Sequence, residues 1–276
     1  MEFKIVADSS ADSIKLKEVP YCSAPLKIIT DKKEYTDNAD LDVVGMINDL
    51  KSYSGKSSTS CPSVSDWLST FGNAKNIFCV TITSNLSGSY NSALIAKQEY
   101  ETEHPDRKVF VIDSLSAGPE LKLLVEKLEE LILSGKEYTE ICKEITEYQK
   151  HTKLLFMLES LVNLANNGRV SKTTAKIAGI LGIRLIGKAS DHGTLEPLEK
   201  ARGEKKGLNC ILQNLKELGY KGGKIRISHC LNKPLAELLA TILKSEFSAD
   251  DIELYPAGAL CSFYAEKGGL LIGFEI

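Results

Sequence analysis

Apolar residues in the first half of the chain fall in short runs separated by longer amphipathic stretches. FKIVA from Phe3, PLKII from Pro25, IFCVTI from Ile77 and VFVI from Val109 are rich in β-branched residues and end at turn residues, as buried strands do. Between them apolar positions recur at helical spacing over Leu41–Leu50, Val64–Phe71 and Gly88–Glu103. The same spacing returns over Pro119–Leu133 and Thr139–His151. Strands and helices alternating in this way predict a parallel sheet with crossover helices.

The second half has a different rhythm. LLFML (Leu154–Leu158), IRLIG (Ile183–Gly187), TLEPLEKA (Thr194–Ala201), KIRIS (Lys224–Ser228), DIELY (Asp251–Tyr255) and LLIGFEI (Leu270–Ile276) read as strands. IRLIG and TLEPLEKA flank KASDHGT, whose Asp-His-Gly stretch predicts a hairpin turn. Helices are expected over Thr173–Leu181, Glu204–Leu218 and Pro234–Phe247. The pattern predicts an α/β chain of two domains. Residues 1–152 form a Rossmann-like parallel-sheet domain, and residues 153–276 an α+β domain with a mixed or antiparallel sheet.

Composition narrows the function. The chain has 276 residues, 43% hydrophobic and 26% charged, with a formal net charge of −3. That is enough chain for a large core and an internal cavity. The charge balance argues against a nucleic-acid partner, which needs clustered excess Lys and Arg. The N-terminus carries no apolar run of signal-peptide length, and no window reaches the roughly 18 apolar residues of a membrane span. A cytoplasmic protein without stable membrane insertion is expected. The cysteine count is seven, with no CxxC pair, so neither a disulfide framework nor a structural zinc site is expected.

Several catalytic motifs are absent. SGKSS at Ser54–Ser58 ends like a P-loop, but Leu50 stands where the pattern needs glycine. There is no GxGxxG after the first strand and no GxSxG elbow. The histidines, His104, His151, His192 and His229, show no HExxH spacing.

Three hydroxyl-rich segments remain: DSSAD (Asp8–Asp12), STSCPS (Ser58–Ser63) and TSNLSGSYNS (Thr83–Ser92). The first and third directly follow predicted strands, and the second and third precede helices. Strand ends in an open α/β sheet form the ligand crevice, and helix starts offer free N–H groups to an anion. Gly88 permits close backbone approach. Serine and threonine are also favoured helix caps, so these residues alone leave an anion site and ordinary capping both open.

KIVADSSAD, STSCPS, SNLSGSYNSA, VIDSLSAG and LESLVNLANNGRVSKTTAKIAGILGI occur in this order from Lys4 to Ile183. Together they resemble the DegV family of bacterial fatty-acid-binding proteins. The resemblance implies a long-chain fatty acid buried between two domains and presented to a separate fatty acid kinase, with no cofactor and no catalysis by the chain itself. It implies that Thr59, in the Thr-Ser-x-Pro-Ser motif with Ser60, and Ser87, in the motif continued by Gly88, hold the carboxylate. Arg169 is implied near the head group, with Asp8 and Ser9 in support. One region departs from the family pattern. Residues 257–274 lack the family's histidine, and Tyr264, Ser262 and Lys267 are the candidates for its place.

The chemistry suits these residues. A buried carboxylate needs hydrogen bonds or a countercharge, which two hydroxyls and an arginine supply. Two other readings stay open. One is a serine-dependent hydrolase or phosphoryl-transfer enzyme in the same crevice, against which stands the lack of a base at a recognisable spacing from Ser87 or Ser60. The other is a site for a small anion or a phospholipid head group.

Overall fold

The computed structural model of the protein describes residues 2–171 and 182–276. The helix expected over Thr173–Leu181 lies outside the described residues. The first half runs β1 (Phe3–Asp8), β2 (Tyr21–Ala24), β3 (Lys27–Ile29), β4 (Glu34–Thr36), α1 (Val43–Ser52), β5 (Ser58–Ser60), α2 (Val64–Phe71), β6 (Asn76–Thr81), α3 (Ser89–Glu103), β7 (Lys108–Asp113), α4 (Pro119–Leu133) and α5 (Tyr138–Tyr148). Four of these strands form a parallel sheet in the order β2-β1-β6-β7.

Successive side chains on a strand face opposite ways, and here both faces are apolar. Ile5, Ala7, Phe78 and Val80 pack against Leu121, Leu124 and Leu128 of α4 and Ile141 and Ile145 of α5. Val6, Ile77 and Cys79 pack against Trp67 and Phe71 of α2 and Ala93, Ala96 and Tyr100 of α3. Helices therefore cover both faces, as a parallel sheet requires.

The PLKII run departs from expectation. Lys27–Ile29 does not join the parallel sheet. It pairs antiparallel with β4 and β5 in a separate three-stranded sheet. Only Ile28 of that strand is fully buried, so the run is a one-sided strand rather than a core strand. The missing parallel strand is β2, YCSA, a short edge whose polar residues hide it from an apolar-run reading.

The second half runs β8 (Thr152–Leu158), α6 (Val162–Asn166), β9 (Ile183–Ala189), β10 (Leu195–Arg202), α7 (Glu204–Glu217), β11 (Ile225–His229), α8 (Lys233–Phe247), β12 (Ile252–Pro256), α9 (Ala259–Ala265) and β13 (Leu270–Glu275). Its six strands lie in the order β10-β9-β8-β13-β11-β12, antiparallel except for the β11–β12 pair. The expected hairpin is present. Ser190 N donates to Thr194 O at 2.8 Å, and Gly193 turns the chain at φ +74. Leu155, Met157, Ile227 and Ile272 meet α7 and α8 on one face. The other face looks toward α4.

Helix α4 joins the two sheets, packing on β1 and β6 and also on β8, β11 and β13. Every residue from Pro119 to Val125 is buried. Gly273 allows this approach, because a Cβ there would stand 2.5 Å from the Pro119 carbonyl carbon. Charged residues on α4 survive burial by pairing. Lys122 donates to Glu253 at 2.8 Å and to the Ser13 carbonyl at 3.0 Å. Glu126 is gripped by Arg226 at 2.8–3.0 Å.

Glu120 has a titration consequence. It is 6% exposed and accepts a 2.8 Å bond from Thr152 Oγ1. Burial raises its pKa from 4.5 to about 7, against the lowering effect of Ser116, Thr152 and Lys153. A carboxyl with a raised folded pKa favours the folded state at low pH and loses that stability as pH rises through the folded value. Glu120→Gln keeps the acceptor for Thr152. It is expected to be more stable than the parent at about pH 8, with the gap closing toward pH 4, as urea unfolding across that range will read.

Candidate functional site

A narrow cavity of about 90 Å³ lies between the halves. Leu154, Phe156 and Leu158 of β8, Leu271 of β13 and Leu260 and Ala265 of α9 form much of its wall. Among the described residues its polar side chains are Thr59, Ser87, Arg169 and Tyr264, with the Cys261 thiol. These are brought together by direct contacts. Thr59 Oγ1 and Tyr264 Oη share a hydrogen bond of 2.7 Å. The Arg169 guanidinium stands 5.7 Å from the Tyr264 ring centre, and its Nε donates to the Leu86 carbonyl at 3.1 Å, next to Ser87.

Thr59 reaches the cavity from a strand, not from a helix start. It is the middle residue of β5, paired opposite Ile28 of β3. The N-terminus of α2 is capped by a capping box of Ser63 and Asp66, which takes up two of its free N–H groups. Strand alternation sets Ser60 apart from Thr59. It pairs opposite Lys27, faces away from Thr59 and is not part of the wall.

Ser87 sits in the loop between β6 and α3. Asp8, fully buried at the end of β1, holds this loop by accepting from Ile82 N at 2.8 Å and from Ser89 Oγ at 2.5 Å. Burial raises the Asp8 pKa, and its bonds to Ser10, Ser89 and Ile82 oppose that rise. Ser9 supports the same region by accepting from Leu26 N at 3.0 Å. The hairpin of the second half also docks here, with Asn85 Nδ2 donating to the His192 carbonyl at 2.6 Å.

Gly88 does not touch the cavity. It is the N-cap of α3, and a Cβ there would meet Cys61 Sγ at 3.2 Å. Its role is to let the Thr59 and Ser87 loops lie against each other. Gly88→Val is expected to push them apart and to weaken ligand binding about tenfold, with thermal stability largely kept because Gly88 is exposed. Titration calorimetry beside thermal melting separates the two effects.

The electrostatics suit an anion. Among the described residues the wall carries a cation and three hydroxyls but no carboxylate and no histidine. Burial raises the Tyr264 pKa above its ordinary value, so the phenol keeps its proton and can donate it in a hydrogen bond.

The sequence pattern described as "Uncharacterised protein, DegV family" matches residues 2–275. The chain belongs to the DegV family. A DegV domain-containing protein of Streptococcus pneumoniae is 46% identical over the full length of both chains. Solved structures that are similar throughout include the following two. The Streptococcus pneumoniae Fatty Acid Kinase (Fak) B3 protein loaded with linoleic acid has a TM-score of 0.98 at 46% identity, covering 100% of both chains. A DegV family protein from Eubacterium eligens loaded with heptadecanoic acid has a TM-score of 0.97 at 45% identity, covering 99% of each.

Within this DegV chain the structure brings Thr59, Ser87 and Arg169 to the lining of one cavity. Of the three candidates for the place of the histidine that the C-terminal segment lacks, one stands at the cavity. Tyr264 lines the cavity. Ser262 is buried and donates to the Ala257 carbonyl at 3.0 Å, and Lys267 is exposed. His229 ends β11, outside the wall. The strand Leu154–Leu158 is legible in the sequence, but its place in the cavity wall is not, and sequence reasoning missed the two acids, Asp37 and Asp12, that hold α9. Asp37 stands in no motif, and Asp12, although it closes the DSSAD segment, carries no local sign that its partner is Gly258.

Proposed function

We propose that this DegV protein binds one long-chain fatty acid. Its carboxylate meets Thr59, Ser87, Tyr264 and Arg169, and its tail lies along the apolar wall. The observation that carries the reading is the pairing of three hydroxyls and one cation with walls that, apart from the Cys261 thiol, are leucine, isoleucine, phenylalanine and alanine among the described residues. The relatives loaded with linoleic and heptadecanoic acid support it. The ligand lies between an N-terminal unit, residues 1–152, and a C-terminal unit, residues 153–276.

The chain acts as a carrier rather than an enzyme, needs no cofactor, works in the cytoplasm and presents the acid to a separate fatty acid kinase. The naming of the similar pneumococcal protein supports the kinase partnership. Among the described residues the wall offers Ser87 no histidine or carboxylate to act as a general base, and carriage of a fatty acid needs none. Among the described residues no helix is long and apolar enough to cross a membrane.

Solvent extraction of the purified protein followed by mass spectrometry tests the reading. A co-purified long-chain fatty acid is expected. Finding none, and no uptake of added palmitate or oleate, removes the proposal. Turnover of acyl esters or ATP by the isolated chain, lost in Ser87→Ala, would replace it with the enzymatic reading.

A further inference from the structure

Helix α9 carries Leu260, Cys261, Tyr264 and Ala265 to the cavity, yet it begins without a cap of its own. Its N-cap residue is Gly258, which has no side chain to offer the N–H groups of the first turn. The acceptors come from the far end of the chain. Asp37 accepts from Ala259 N through Oδ1 at 2.9 Å and from Leu260 N through Oδ2 at 3.0 Å. Asp12 accepts from Gly258 N at 2.9 Å. Asp37 is itself fixed, being 6% exposed with its own N–H donating to the Leu26 carbonyl at 2.9 Å. One turn along α9, Tyr264 reaches Thr59 and lies against the Arg169 guanidinium.

A carboxylate gripping two successive main-chain N–H groups fixes both the height and the rotation of a helix, and its charge suits the positive helix end. With about 1.5 Å of rise per residue, Tyr264 stands only about 6 Å along the axis from Leu260. A slip or turn at the clamp is therefore carried directly to the phenol. We infer that Asp37 is a positioning residue for the carboxylate site: it sets where Tyr264 Oη stands beside Thr59 without touching the ligand. Leu26, whose carbonyl anchors Asp37, also lines the cavity, so the clamp and the wall share one support. A plain brace between the two halves would hold the fold together but would not discriminate between ligand head groups.

The affinity consequences rest on the fatty-acid reading above, whereas the geometric consequence does not. Asp37→Asn keeps the volume and one acceptor but turns an N–H toward a main-chain N–H. Crystal structures of the parent and the variant should show the Tyr264–Thr59 contact, 2.7 Å in the parent, opened beyond about 3.5 Å. An unchanged contact overturns the inference. In binding, palmitate affinity should fall about tenfold, and hexadecanol affinity should change by less than about twofold. In a Tyr264→Phe background, Asp37→Asn should add less than about twofold. Equal losses for acid and alcohol, or additive losses in the double variant, reduce Asp37 to a brace and overturn the inference. Should Asp37→Asn fail to fold, Asp37→Glu keeps the charge, shifts it by one methylene and carries the same tests. A parent protein that binds neither palmitate nor hexadecanol removes the fatty-acid reading, and the crystal comparison still decides the role of Asp37.

Discussion

Thr59→Ala combined with Ser87→Ala is expected to lower palmitate affinity by about two orders of magnitude or more while leaving the protein folded. Each hydroxyl can donate one bond to the carboxylate, and a hydrogen bond to a charged group contributes about 1.5–3 kcal/mol. Losing both removes at least about 3 kcal/mol, or roughly a hundredfold, before any cost of leaving the charge under-solvated. Neither residue is deeply buried, so the substitutions leave no sizeable internal void. Thr59 keeps its strand pairing with Ile28 through the main chain, and the Ser87 loop is still held by Asp8 through Ile82 and Ser89. Titration of delipidated protein, with circular dichroism and thermal melting as controls, measures the effect. Undiminished palmitate binding by a normally folded double variant would place the carboxylate elsewhere. A matching loss for hexadecanol would mean that the substitutions act on the tail cavity and not on the charge.

The same residues show what the sequence makes legible. The helices over Val64–Phe71 and Pro119–Leu133 were readable to the residue, because apolar residues recur at helical spacing in each and Ser63 and Gly72 bound the first as Gly118 and Ser134 bound the second. The strands Ile183–Ala189 and Leu195–Arg202 announced themselves through the turn between them. Helix α9 did not. Six of its seven residues are buried, so ALCSFYA is apolar nearly all round and shows no amphipathic stripe. That silence matters for function, because α9 delivers Tyr264. The strand β5 was masked differently. STS contains no apolar residue, and it pairs only because β3 runs beside it. Thr59 was therefore identifiable by motif but not by geometry. The motif could not show that Ser60, one residue along, faces the other way. Long-range support is the least legible layer. The bond from Leu260 N to Asp37 spans 223 residues, and nothing near either end requires it.

Shortening the acid should have an effect on affinity of comparable size or larger, and it locates the tail. Each methylene buried in an apolar cavity contributes about 0.8 kcal/mol, a factor of roughly four in affinity. Between decanoate and hexadecanoate six methylenes add a gross term of about 5 kcal/mol, or about three thousandfold. Ordering the tail lowers the realised slope, so an increment of twofold to fourfold per methylene is expected, approximately. The wall explains why the slope should be steep: Leu154, Phe156, Leu158 and Leu271 present no polar side chain to the tail. Leu154 also borders a second cleft, lined by Glu120, Lys153 and Asp191 among others, where a methylene gains little by leaving water. Affinity should therefore climb with chain length while the tail runs along the leucine wall and level off once it meets that polar boundary. Competition titrations across the even-numbered acids will read both the slope and the break. A flat series, with acetate or phosphate binding as well as palmitate, would instead mark a short polar pocket and a small-anion site, since only the head group would then be recognised.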